Sequence, residues 1–145
     1  MAITITPYNH TIRRFLEGSN AVGDSYGVNL YSALTFDPTH TTKTQVDGAA
    51  TQLPTADGYV QNGTFLQMVS VATVSTTGAR FTAEPVVWNA SGGDLSATFA
   101  LIYNDDDADK APVAVVDFDG TLTAVNGTSF RLNWNSDGIL RVVVV

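Results

Sequence analysis

Apolar side chains in this chain recur at every second position, in short runs with turn-forming residues between them. A period of two puts alternate side chains on opposite faces of a strand, whereas a helix spaces its apolar residues three and four apart. Tyr26, Val28, Leu30, Leu34 and Phe36 share one parity until Pro38 stops the run. Leu95, Ala97, Phe99, Leu101 and Tyr103 form a second such set, and Phe130, Leu132 and Trp134 a third. Phe65–Ser75, Phe81–Trp88, Val113–Phe118 and Ile139–Val145 read as further strands, with Pro85 marking an edge or a bulge. Turns fall at Thr76–Thr77–Gly78, Asn89–Asp94 and Asn135–Gly138. Before all of these, Ala2–Pro7 is a short strand, and Thr11–Glu17 places Ile12, Phe15 and Leu16 at helical spacing. Asn9 or Thr11 is the expected cap of that helix, and Gly18 its left-handed end.

Strands at short, even spacing imply one all-β domain over residues 1–145, a mainly antiparallel β-sandwich or barrel with one short N-terminal helix. Phe99, Leu101, Phe130, Leu132 and Trp134 are its expected core. Residues 38–63 are rich in Thr, Gly and Asp and poor in large apolar side chains, so they read as a long loop. A loop of that length in a small domain is either functional or mobile. Its apolar residues Leu53, Tyr59 and Val60 are the candidate anchors for a partner.

Composition narrows the function. Only 14% of residues are charged, and a net charge of −7 with two lysines, Lys43 and Lys110, argues against a phosphate backbone as partner. The absence of cysteine removes disulfides, zinc fingers and thiol chemistry. No basic segment followed by an apolar run opens the chain, so no secretory signal is expected. No apolar stretch approaches the ~20 residues that span a bilayer, so no membrane contact is expected.

The sharpest local motif is Val115-Val116-Asp117-Phe118-Asp119-Gly120-Thr121, which resembles the first motif of haloacid-dehalogenase-type phosphatases. That resemblance implies Asp117 as nucleophile, Asp119 as general acid/base and Mg²⁺ between them. Its context argues the other way. The residues after the motif hold no lysine and only one more acid, Asp137, and Asp-Gly is also an ordinary hairpin turn. The run Asp105-Asp106-Asp107-Ala108-Asp109 offers oxygens to calcium, yet lacks the spaced acids and distal glutamate of a calcium loop. His10 and His40 have no second ligand at metal spacing. Asn9, Asn62, Asn89 and Asn126 open Asn-x-Ser/Thr triplets that fit a turn vocabulary. Trp88 and Trp134 suit core anchors or, less directly, sugar-stacking platforms. Neither a catalytic residue nor a cofactor or metal ligand is assigned.

Over most of its length the chain resembles a family of small tailed-bacteriophage virion proteins. The matching features are Trp88-Asn89-Ala90, Ala100-Leu101-Ile102-Tyr103-Asn104-Asp105-Asp106, Val116-Asp117-Phe118, Asn126-Gly127-Thr128, and Asn133-Trp134-Asn135 with Asp137-Gly138-Ile139-Leu140. Tyr8-Asn9-His10 and Asn29–Phe36 agree more loosely, and residues 38–63 lie outside the likeness. The resemblance implies a non-enzymatic virion protein made in the host cytoplasm, with a capsid decoration or cement role on the outer shell favoured. A tail, head-fibre or head–tail connector component is the nearest alternative. A phosphatase and a carbohydrate-binding module are the alternatives from other classes. The implied partners are the major capsid protein and further copies of the chain itself, most simply as a trimer at a threefold position.

Overall fold

The computed structural model describes residues 3–74 and 78–143. It is mostly strand, with 9% helix, as the alternating pattern requires. In chain order the elements are β1 (Thr4–Pro7), α1 (Thr11–Leu16), β2 (Tyr26–Leu34), α2 (Lys43–Gly48), β3 (Ala50–Gln52) and β4 (Ser70–Val74). There follow β5 (Gly78–Thr82), β6 (Val86–Asn89), β7 (Leu95–Asn104), β8 (Pro112–Ala124), β9 (Ser129–Leu132) and β10 (Leu140–Val143). Of the expected strand Phe65–Ser75, Ser70–Val74 is strand; Ser75, the expected turn residues Thr76 and Thr77, and the ends of the first and last expected strands at Ala2 and Val144–Val145 lie outside the described residues.

Three antiparallel sheets result. The largest has the order β1-β8-β7-β2-β3, and two smaller ones have the orders β10-β5-β4 and β6-β9. Pro85 lies between β5 and β6, where the chain leaves one small sheet for the other. A proline cannot donate to a ladder, so the expected single strand Phe81–Trp88 is two strands in two sheets. Apolar side chains from both small sheets pack onto one face of the large sheet in a sandwich-like stack. That core joins Val28, Leu30, Ala100, Ile102 and Val116 to Phe81, Trp88, Phe130, Leu132 and Leu140. Phe118 and Trp88 each meet Phe130 edge to face.

The opposite face of the large sheet is also covered. Tyr31, Leu101, Tyr103 and Val115 pack there against Tyr8, Val46 of α2, Phe36 and Ala50. Two irregularities explain how one strand feeds both cores. In β2 the register shifts between Tyr31 and Ala33, so Tyr26, Val28 and Leu30 join the first core while Leu34 and Phe36 join the second. In β7 the register shifts between Ala97 and Phe99, which turns Leu95 and Ala97 to one side and Phe99, Leu101 and Tyr103 to the other. The single-parity sets expected from sequence are therefore split, because an extra residue in one strand inverts every side chain beyond it. Leu101, Phe130 and Leu132 are buried as expected, but Phe99 and Trp134 are only half-buried.

The helices also differ from expectation. α1 is there, but His10 precedes it without a side-chain cap, and Thr11 instead donates its hydroxyl to Val113 O at 2.6 Å. Gly18 follows with φ +83, the left-handed turn that only glycine adopts without strain. The larger correction concerns residues 38–63, which are not an open loop. Thr42 accepts the Gln45 N–H and Gln45 reaches back to the cap backbone, a reciprocal pair that starts α2. β3 then pairs with β2 and closes that edge of the large sheet.

Candidate functional site

Asp117-Phe118-Asp119-Gly120 does not join two strands. It lies inside β8, where Ala97 pairs with Leu122 but Phe99 pairs with Asp117, so four residues of β8 stand opposite Thr98. Asp119 has φ +56 and Gly120 φ +122, and Asp117 Oδ1 accepts the Asp119 N–H at 2.9 Å. The motif is a wide bulge that re-aims the strand, with both carboxylates exposed and Phe118 turned into the core. The phosphatase motif needs the end of a parallel strand. Here the strand is antiparallel to both neighbours.

The carboxylates of Asp105, Asp106 and Asp107 in the acidic loop each turn to a partner within the protein. Lys110 Nζ donates to Asp105 Oδ1 at 2.6 Å, Ser25 N to Asp106 Oδ2 at 2.8 Å, and Arg14 Nη2 to Asp107 Oδ1 at 2.8 Å. Partial burial works to raise the Asp107 pKa. The Arg14 hydrogen bond and charge, with the N–H groups of Ala111 and Asp109, outweigh it and hold the carboxyl below its usual range. The loop is a brace between α1 and the β7–β8 connection, and its oxygens do not converge on one point. His10 Nε2 lies 2.8 Å from Pro112 O, and His40 Nε2 lies 3.7 Å from Asp37 Oδ2, so the two histidines serve separate local contacts. Among the described residues no three His, Cys, Asp or Glu side chains gather in a metal-like group.

The aromatic and loop candidates divide. Trp88 is buried and its indole donates to Thr64 Oγ1 at 2.9 Å, so it is a core residue. Trp134 is half-buried and donates to Glu84 O at 3.0 Å. Tyr59 is in the first core, and its hydroxyl oxygen accepts the Leu30 N–H at 3.1 Å. Burial raises its pKa. It cannot anchor a surface partner. Leu53 is half-buried against the same core, and only Val60, 56% exposed, remains open to solvent. Of the Asn-x-Ser/Thr asparagines, Asn62 accepts from Asn29, Asn89 from Ser129 and Asn126 from the Gly92 N–H.

An apolar groove that the sequence reading missed lies between α1 and the β10-β5-β4 sheet. It measures about 440 Å³, and its walls include Ile12, Phe15, Leu16, Val71, Phe81 and Val142. Phe15 stacks at a tilt on Phe81 with ring centroids 5.0 Å apart and forms its base. Leu16 stands at the rim 84% exposed, and Val71 and Val142 are each 52% exposed. Exposed apolar residues scattered singly need no explanation, whereas these form a set around one concave surface. Helical spacing puts Leu16 on the same face of α1 as Ile12 and Phe15. α1 ends at Leu16, so its last side chain overhangs the sheet edge. The signal that could have located the groove is the alternation Leu140, Val142 on a strand whose neighbour offers Ala79 and Phe81.

Comparison of the chain with models of protein families, with curated proteins and with solved structures finds no match.

Proposed function

We propose that this protein is a structural component of a tailed-bacteriophage particle, a decoration or cement protein that binds the outer surface of the major capsid shell. The likeness of its strand and turn motifs to small virion proteins supports the class. The observation that carries the role is the apolar groove beside α1, an open contact surface on a frame packed on both faces of its main sheet. Rigid elements hold such a surface in one geometry, so little ordering entropy is lost on docking. With a net charge of −7 the protein stays soluble between assembly steps, and attachment draws on apolar and backbone contacts. In this reading it works as a homo-oligomer, needs neither cofactor nor metal, and takes neither nucleic acid nor membrane as partner. The contact lies at the groove and at Val60. Tyr59 is withdrawn into the core, and Leu53 is half-covered.

The test compares purified shells with and without the protein during heating, using the natural chain and Leu16→Asp. Leu16 is almost fully exposed, so the variant should keep its own melting temperature. The natural chain should raise the temperature at which shells break, and Leu16→Asp should neither bind nor protect. Shells that break at the same temperature with either protein or none overturn the cement role. Electron microscopy that places the chain on the tail or at a fibre replaces it with the alternative.

A further inference from the structure

We infer that the outer edge of β4 is a self-association surface, on which a second copy of this chain adds its own β4 antiparallel about a twofold axis centred on Ala72. From Gly58 to Ala79 the sequence holds no charged residue, the longest such stretch in the chain, and β4 lies within it. β4 pairs with β5 on one side, and among the described residues nothing pairs with its other side. Edge strands are ordinarily protected by prolines, charges or brevity. The other edges have such protection: β1 ends in Pro7, β3 has three residues, β6 has four and follows Pro85, β9 carries Arg131, and β10 carries Arg141, which is ion-paired to Asp137 at 2.8 Å. β4 is Ser70-Val71-Ala72-Thr73-Val74, with no charge and no proline.

Charge is what selects a second copy as the occupant. Two molecules of net charge −7 repel wherever acidic surfaces meet, and this uncharged edge lets them approach without facing like charges. The strand is also complementary to itself. Pairing about Ala72 sets Val71 opposite Thr73 of the second copy and Ser70 opposite Val74, with the smallest side chain at the axis. Val71 lines the groove, and Thr73, two residues on, shares its face of the sheet. The joined six-stranded sheet would therefore carry both grooves on one continuous face. Five paired residues cover less than the roughly 800 Å² per partner of a standard interface, so a reversible dimer is expected. This twofold pairing takes the place of the threefold arrangement expected from sequence, and it does not depend on the particle role.

Sedimentation velocity on the full chain, over ~1 to ~200 µM, tests it directly. A monomer–dimer equilibrium is expected, and Val71→Lys with Thr73→Lys should weaken it about tenfold or more by placing charges across the new ladder. Val142→Lys, on the same face but on β10, should leave it unchanged. A monomer throughout, a trimer, or a dimer indifferent to the β4 lysines overturns the proposal, as does a dimer broken by Val142→Lys. Hydrogen exchange on the unaltered chain gives a second reading that needs no variant. Amides of β4 should gain protection with rising concentration, and unchanged exchange there in a dimer also overturns it.

Discussion

On one face of the five-stranded sheet, Ile102 and Val116 belong to a core that also holds Phe118, Phe130 and Leu132, and most of its members are aliphatic or phenyl side chains. On the other face, Tyr8, Tyr31 and Tyr103 share the space with a lysine and an aspartate brought by α2. Tyr31 donates to Asp47 Oδ1 at 2.6 Å, Lys43 Nζ lies 2.5 Å from Asp47 Oδ2, and the same ammonium stands 5.5 Å from the centre of the Tyr103 ring. Gly27 makes room for that ring, because a side chain there would collide with it. Both faces exclude water, but by different means. The first relies chiefly on area and shape, although the tyrosines Tyr26 and Tyr59 also lie in it. The second uses polar groups whose stability depends on keeping their partners and protonation states.

Alkaline pH should expose that difference with the largest effect. All five tyrosines, three in the second core and two in the first, have pKa values raised by burial first, and by nearby carboxylates in most cases. An unfolded tyrosine ionises near ~10. Above that pH the unfolded chain loses protons that the folded chain keeps, so stability falls as pH rises and is unaffected well below ~10. Each buried hydroxyl contributes up to about 1.4 kcal/mol per pH unit, and five together should exhaust a stability of ~5–15 kcal/mol within one to three units. Melting followed against pH, together with tyrosinate absorbance, checks this. Ionisation and unfolding should coincide. Tyrosinate appearing near pH 10 in a still-folded protein would mean that the hydroxyls reach water.

Next in size is Phe118→Ala in the first core. Phe118 is 1% exposed and touches Phe130, and β8 holds it inward through the bulge formed by Asp117, Asp119 and Gly120. Deleting the ring should cost about 3–5 kcal/mol, independent of pH between 5 and 8, as read by denaturant unfolding. A loss under about 1 kcal/mol would mean that the first face closes around the gap and owes less to shape than argued here.

The same residues show what was legible in the sequence. Alternation located most of the strands though not all of their ends, because a half-buried strand repeats every two residues whatever its neighbours are. It could not reveal the shifts after Tyr31 and Ala97, since an inserted residue leaves the letters alternating while reversing the face they occupy. Asp117–Gly120 is a turn in its local dihedrals, as read, yet its flanks run on in one strand, and only pairing partners distinguish a bulge from a hairpin. Residues 38–63 were mistaken for a loop because just a few of their side chains, among them Val46 and Tyr59, do the burying. The Thr42–Gln45 spacing was the available helix signal. The groove is harder to read for another reason: a six-residue helix ends before its apolar stripe is covered.

The smallest effect tests the second face by charge alone. In Asp47→Asn the new side chain keeps an oxygen for the Tyr31 hydroxyl but removes the negative charge beside Lys43. The Lys43 side chain is 11% exposed and Asp47 36%, so the ammonium would remain mostly buried beside a neutral amide. Breaking a fully buried pair costs about 3–5 kcal/mol, and partial exposure of Asp47 reduces that to roughly 1–2 kcal/mol. In a chain of this size the melting temperature should fall by about 2–8 °C. Lys43→Met combined with Asp47→Leu should recover most of the loss, because apolar groups of similar volume need no partner. If the single variant is neutral, the ion pair does not help to close the second face, which would then resemble the first. If the double variant is as unstable as the single one, leaving the Tyr31 hydroxyl without its Asp47 acceptor costs as much as leaving the ammonium unpaired, and both contacts of Asp47 help to close the second face.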